Sequence, residues 1–442
     1  MAFSDLAELG PAADLLVHEQ GWQSWSPTGS YLATATSPRP ADRRRQIMGF
    51  RPDRRLPDGG FQGEGLLAVS RRDGGPVRIW HAIDPTREVP SIRARAADGR
   101  LLVSADGEVA ETEIDAGSME SGLARWADDL ARAHRLPAVG SIPAVWCSWY
   151  QYLGSVTAAD VIENLEAAGT LQLPVGVVQI DDGYEAGIGD WLLASGRFGG
   201  SLGDIAAAIR GSGRRAGIWT APLLVGERSR LASEHPDWMV LGADPGRNWD
   251  QGLRVLDVTH PDAADWLGDV FRRLAGWGFD YFKLDFLYAG ALPGARHQDA
   301  SAIDCYRAAL RLIREAVGAP ATLVGCGAPI LPSIGLVDAM RVGPDIALHF
   351  EPAGGEDLSG PSQRGAALAV RARAFLHGRL WVNDPDCLIA RPAMERREEW
   401  AEVVGRYGGL RASGDRLAAL DGWGLEVTRR LLTPSASRPL VE

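Results

Sequence analysis

The clearest chemical signals in this chain are carboxylates that end short apolar runs with a cation beside them. Tyr281-Phe-Lys-Leu-Asp285 is the sharpest case. Lys283 is the only lysine in the chain, against 45 arginines (46 basic residues less one). A lysine that survives in so arginine-rich a sequence marks a place where the wider, planar guanidinium does not fit. On a strand Lys283 and Asp285 share a face. Two charges on an inner face are costly unless they are paired or working. An ammonium beside Asp285 favours its charged form, which suits a nucleophile; the competing reading is a structural ion pair.

Arg341-Val-Gly-Pro-Asp345 ends a second apolar run. Gly343 and Pro344 break regularity, which predicts Asp345 just beyond the strand. A carboxyl in a partly closed cleft can have a raised pKa and act as a general acid. A nearby arginine opposes this, so Arg341 is expected to point at substrate hydroxyls or at Asp285 instead. Asp181 and Asp182 are adjacent acids at a third strand end. Both can reach a ligand only past the last ladder bond, where they could accept hydrogen bonds from vicinal sugar hydroxyls. A metal site is the rival for this pair and for Asp384-Pro-Asp386, but no His or Glu stands at ligand spacing. Cys326 also ends an apolar run. Trp22-Gln-Ser-Trp25, Trp146-Cys-Ser-Trp149 and Trp219 offer flat indole faces for the C–H faces of sugars. Trp22 contributes only if its domain leans over the site.

These residues need elements to position them. The 442-residue chain allows two or three domains, or one large barrel with attachments. Hydrophobic residues at 45% and charged residues at 23% fit a globular protein with a sizeable core. A net charge of -11 repels phosphate backbones and argues against nucleic acid as partner. No stretch approaches 18 apolar residues, so no membrane span is expected. The acidic N-terminus does not read as a signal peptide, and four well-separated cysteines with no CxxC pair read as reduced thiols of a cytoplasmic protein. Residues 1–117 read as short strands broken by turns, an antiparallel β-sandwich. Residues 118–140 read as a linking helix. From 141 to 432, runs at 144–149, 175–180, 217–220, 281–285, 322–325, 339–342, 380–383 and 409–412 alternate with helical stretches. Eight such units predict a (β/α)8 barrel, whose active site lies at the C-terminal ends of the strands. The tail 433–442 reads as disordered.

The motifs in order also resemble a known family. WCSWY at 146–150, QIDDGYE at 179–185, GDW at 189–191, GIWTAP at 217–222, HPDW at 235–238, FKLDF at 282–286, GCG at 325–327, MRVGPD at 340–345 and NDPD at 383–386 are similar to glycoside hydrolase family 36. These are the α-galactosidases, or melibiases, of clan D. GWQSW at 21–25 resembles its compact bacterial branch. The resemblance implies Asp285 as nucleophile and Asp345 as acid/base. It implies Asp181 and Asp182 as the acids gripping the 4-OH and 6-OH of galactose, and Lys283, Arg341, Trp219 and Trp149 as further sugar contacts. Cys326 falls in a loop near the 2-OH. It implies no cofactor or metal. Leu287 stands where many members have asparagine, and Thr-Ala-Pro replaces Phe-Glu-Pro after Trp219. The C-terminal β-domain is almost missing, so an oligomer is possible but not indicated.

The expected function is a retaining exo-α-galactosidase acting on a small galactoside such as melibiose or raffinose. Alternatives are an α-N-acetylgalactosaminidase or a transglycosylase of the same family. From other classes come a Schiff-base aldolase using Lys283 and a non-hydrolytic sugar-binding barrel; Asp285 and Asp345 together argue against the last.

Overall fold

The computed structural model describes residues 2–39, 50, 51, 54, 59–353, 355 and 357–433. All but the first residue of the tail expected at 433–442 lies outside them.

Two antiparallel sheets form the N-terminal part. One runs Ser4–Leu9, Arg100–Ala105, Ser91–Ala97, Phe61–Glu64; the other runs Gly29–Leu32, Leu15–Glu19, Leu66–Arg71, Pro76–Ala82, Val109–Asp115. The tight turn between Ser91–Ala97 and Arg100–Ala105 has Asp98 at φ 49 and Gly99 at φ 75, the left-handed pair that a two-residue hairpin demands. The period of two in Leu66–Arg71 divides its side chains between two cores. Leu67 and Val69 face the sandwich interior with Phe61 and Trp80. Leu66 and Ala68 face the helix Met119–Ala133. Ser118 caps this helix by accepting from the Ser121 N–H, and its buried stripe of Leu123, Ala124, Ala127 and Leu130 covers that face of the sheet.

Eight parallel strands follow: Val145–Cys147, Val177–Ile180, Arg215–Thr220, Phe279–Leu284, Thr322–Gly325, Ala339–Arg341 and Val382–Asp384 pair in chain order, and the eighth, Ala412–Ser413, pairs with the first. The Gly409 and Leu410 N–H groups donate to the Asn383 carbonyl at 3.0 and 2.9 Å and close the ring. This is a (β/α)8 barrel beside a β-sandwich. The first strand is shorter than the sequence suggested; Trp149 opens a short helix, Trp149–Tyr152, at the strand's C-terminal end. One β/α unit also departs from expectation. Among the described residues the connection from the fifth strand to the sixth carries only a 3-10 turn, Leu331–Ser333. Pro329 and Pro332 remove donors there, and the N-terminal motif occupies the place of a helix. The Ser24 N–H donates to Ala328 O at 3.0 Å, and the Ile330 N–H to Trp22 O at 3.0 Å. No helix among the described residues is long and apolar enough to cross a membrane.

Arg373 fixes this junction. Its fully buried guanidinium donates to the carbonyls of Gly21, Gln23, Ser24 and Ser26 and to that of Val342, at 2.7–3.3 Å. Burial without a carboxylate partner pushes its pKa down to about 9, so the group still donates as a cation at neutral pH. Removing it strands several buried carbonyls, each costing roughly 1–3 kcal/mol. Arg373→Ala is expected to lose about 3 kcal/mol or more of stability, read from the urea midpoint. A loss below about 0.5 kcal/mol would show that the carbonyls find other donors.

Candidate active site

The loops at the C-terminal ends of the barrel strands enclose a cavity of about 470 Å³. Asp181, Asp182, Lys283, Asp285 and Asp345 line it together with Trp149 and Trp219. A larger cavity, about 600 Å³, opens at the opposite end of the strands, near Ser141, Thr322 and Trp381. Its Arg314 is tied to Asp338 at 2.6 Å. The smaller cavity is the candidate site because the converging acids and the strands' C-terminal ends are there.

Lys283 is the last inward-facing residue of the fourth strand. Its Nζ lies 2.9 Å from Asp181 Oδ2 and 3.8 Å from Asp285 Oδ2. Burial favours the neutral amine, but these two carboxylates override it and push the Lys283 pKa well above its ordinary value. The group is therefore a fixed cation, and the free amine that a Schiff-base aldolase needs is strongly disfavoured. Asp285 lies one residue past the strand. It accepts from the Trp219 indole N–H at 3.0 Å and from the Phe286 N–H at 2.8 Å. Phe286 itself adopts the left-handed conformation, φ 51. Every oxygen of Asp285 thus has a donor and the carboxylate has one orientation.

Asp181 and Asp182 both follow the last residue of the second strand, Ile180, as their shared access to a ligand requires. Asp181 accepts from Lys283, from the Gln179 amide at 2.5 Å and from the Cys147 thiol at 3.3 Å. Asp182 accepts from the Trp249 indole N–H at 2.8 Å. Burial raises the Asp182 pKa; Glu185 and Trp249, bonding to its charged form, pull it back. Glu185 itself is pushed well up by burial and by Asp182, so the proton between these two carboxyls belongs to Glu185.

Asp345 stands across the cavity, four residues past the sixth strand. Its side chain keeps 35% of its surface toward the cavity, while the groups around its carboxyl are densely packed. Burial raises its pKa to about 7, against the pull of Arg341. Arg341 does not point at Asp285 or into the cavity, contrary to expectation. It is 3% exposed and lies behind Asp345, with Nη1 2.9 Å from Asp345, Nε 3.2 Å from Asp384 and Nη2 2.9 Å from Asp386. Of the acids that suggested a metal, Asp384 and Asp386 are turned onto this guanidinium, Asp181 onto Lys283, and Asp182 onto Trp249 and Glu185. Among the described residues no group of three His, Cys, Asp or Glu side chains could hold a metal ion.

Two further expected contacts also lie outside the lining. Cys326 is fully buried, and its backbone braces the strand ends through Leu284 O and the Leu287 N–H. Trp22 packs with Val89 and Ile303. It is the other tryptophan of its motif, Trp25, that lines the cavity, edge-on to Phe286 at 5.1 Å. Gly327, at φ 51, makes room for it, since a Cβ there would come within 2.8 Å of the indole.

Sequence reasoning did not find Trp249. It forms, with Asp250, the tip of a hairpin between Arg247–Asn248 and Gln251–Val255, and both tip residues have positive φ, 49 and 54. A left-handed non-glycine residue costs about 1–2 kcal/mol. The charge-assisted bond to Asp182 returns about 1.5–3 kcal/mol and is the reason such a conformation persists in place of the usual Asn-Gly. The signal available in the sequence was a tryptophan beside turn-forming Asn248 and Asp250.

Residues 167–304 match the Melibiase family model. Over 166 residues the chain is 28% identical to the bifunctional α-galactosidase/sucrose kinase AgaSK of Mediterraneibacter gnavus, covering 34% of this chain and 17% of that protein. It is 30% identical over 176 residues to an A type blood α-D-galactosamine galactosaminidase of Flavonifractor plautii, covering 35% of this chain and 16% of the other. The match thus spans about a sixth of the length of these curated relatives. The solved α-galactosidase TtGalA of Thermus thermophilus, in complex with p-nitrophenyl α-D-galactopyranoside, superposes with a TM-score of 0.82 at 29% identity, over 98% of this chain and 89% of that one. Core motif, strand-end acids and whole-chain architecture are all similar to those of the melibiases, the α-galactosidases of glycoside hydrolase family 36.

Proposed function

We propose that the protein is a retaining exo-α-galactosidase that removes terminal α-linked galactose from short oligosaccharides. The observation that carries this reading is the division of labour between two carboxyls of one cavity. Asp285 is surrounded by donors beside a fixed ammonium, while burial brings Asp345 to about 7. This is the pairing a double displacement requires.

In the first step an oxygen of Asp285 attacks the anomeric carbon and the glycosidic C–O bond breaks. The departing oxygen takes the proton of Asp345. Trp219 and Phe286 hold the attacking oxygens in line, and charge building at the sugar ring is met by the carboxylates around it. In the second step Asp345, now a carboxylate, takes a proton from water. The hydroxide attacks the same carbon, the ester to Asp285 breaks, and galactose leaves with its configuration retained. Asp181 and Asp182 are proposed to bind the 4-OH and 6-OH, since each is a buried acceptor already aimed by neighbouring donors. The indoles of Trp25, Trp149 and Trp219 provide the apolar walls. Melibiose and raffinose are the proposed substrates. The TtGalA likeness, with its galactoside complex, supports galactose as the glycon. The four cysteines, all free and buried, are consistent with a cytoplasmic location.

Two outcomes test the reading. The enzyme is expected to turn over p-nitrophenyl α-galactoside at least about 100-fold faster than the α-glucoside, because an equatorial 4-OH leaves a buried acceptor unpaired. Equal rates, or a preference for the N-acetylgalactosaminide, would contradict the galactose assignment. Lys283→Arg is expected to lower kcat/KM by a factor on the order of 10², since the guanidinium displaces both carboxylates it would bridge. A loss of only a few-fold would mean that the lone lysine is replaceable.

A further inference from the structure

Among the described residues Asp345 has a single charged partner at hydrogen-bond distance, Arg341, and an arginine at 2.9 Å ordinarily holds a carboxyl in its ionised form. An acid that must deliver a proton should not have such a neighbour. The surroundings of Arg341 resolve the conflict. We propose that Asp386, helped by Asp384, is a positioning residue for the acid/base: it takes up the guanidinium's charge, so that Arg341 orients the Asp345 carboxyl without keeping it ionised. This inference rests on the mechanism above and adds a second layer to it.

The geometry assigns each edge of the guanidinium. Nη2 goes to Asp386, Nε to Asp384 and only Nη1 to Asp345. One positive charge thus faces three carboxyls in a buried cluster, a formal excess of two negative charges that favours uptake of a proton. Donors decide which carboxyl holds it. Asp386 is fully buried and accepts from the Ile346 N–H at 3.0 Å, the Cys387 N–H at 2.7 Å, the Tyr150 hydroxyl and Arg341. Burial raises Asp386 too, but these four donors stabilise its carboxylate. Tyr150 stays a neutral donor because burial and Asp386 push its own pKa well up. Asp384 accepts from the Asp386 N–H at 2.9 Å as well as from Arg341. Asp345 has Arg341 alone and opens to the cavity, so the proton resides there. From the opposite wall Asp285 favours protonation of Asp345 and Lys283 opposes it. The segment between the seventh and eighth strands, which touches no substrate in this scheme, would thereby set the pH at which the acid works.

The test is the titration of Asp345 itself. With aspartate labelled at its carboxyl carbon, the ¹³C resonance missing from Asp345→Asn identifies the group, and its midpoint can be followed with no substrate present. Wild type is expected to titrate near 7. Asp386→Asn removes one competing negative charge and should lower the midpoint by about one pH unit or more. The alkaline limb of kcat/KM on an α-galactoside should move acidward by the same amount. Tyr150→Phe removes a donor that favours charge on Asp386, so its shift should have the same sign and be smaller; it also serves if Asp386→Asn does not fold. A wild-type midpoint below about 5, or variants that lose activity with an unmoved midpoint, would overturn the proposal and leave Asp386 a purely structural acid. An absence of turnover with the expected shifts would instead sink the galactosidase reading alone.

Discussion

Negative charge is concentrated at the mouth of this barrel, and the way it is compensated governs the rest of the site. Lys283 lies between Asp181 and Asp285, and Arg341 lies among Asp345, Asp384 and Asp386. Charges this deeply buried are tolerated only when nearby opposite charges and hydrogen bonds replace lost hydration. The two cations are deployed differently. Lys283, a compact charge on a flexible stem, bridges two acids that face the ligand. Arg341, with a planar fork, organises three acids from behind. In the proposed mechanism the first arrangement holds its acids ready to accept hydrogen bonds and to attack, and the second leaves one acid with a proton to give. Chemical asymmetry across the cavity thus follows from which cation backs which wall.

The architecture exists to keep these groups in register. Parallel strands bring Gln179, Lys283 and Arg341 to one end of the barrel, and Asp181, Asp182, Asp285 and Asp345 stand one to four residues past their strands, with a backbone N–H among the described residues bonding Asp285 and Asp181 but not the Asp345 carboxyl. Phe286, just past the fourth strand, and Trp249, at its hairpin tip, adopt left-handed conformations, the first with its backbone N–H and the second with its indole N–H on an acid. Strain of this kind persists only where surrounding structure enforces it. The sandwich contributes directly. Its Trp22–Trp25 segment replaces the missing helix after the fifth strand, and Arg373 binds it to the barrel through the carbonyls of Gly21, Gln23, Ser24 and Ser26. Trp25 reaches the cavity because of that attachment.

Much of this was legible in the sequence. Apolar runs of four to six residues alternating with helical stretches marked the strands, and the solitary Lys283 drew attention to the cavity it lines, because an arginine-rich composition makes a retained lysine informative. Asp345 was recognisable from the Gly343-Pro344 break that ends its strand. What the sequence could not show depends on contacts between distant segments. Arg341 looked like a substrate ligand because nothing local reveals that Asp384 and Asp386, some forty residues on, occupy its other nitrogens. Trp22 and Trp25 were indistinguishable until the position of the sandwich was known, and only the Gly327 approach selects Trp25. Trp249 was hidden because a hairpin with tryptophan at a positive φ goes against turn propensity. Its reward is a tertiary bond to Asp182.

The account stands or falls on Asp285 forming a covalent bond to the sugar. A fluorinated α-galactosyl donor with a reactive leaving group, in which fluorine near the anomeric carbon slows the second step, would let that intermediate accumulate. After proteolysis, mass spectrometry should find one fluorogalactosyl group per chain, on the peptide containing Asp285, with Asp345 unmodified. Label on Asp345 or Asp182, or steady release of inverted product without any label, would contradict the assignment of the two carboxyls.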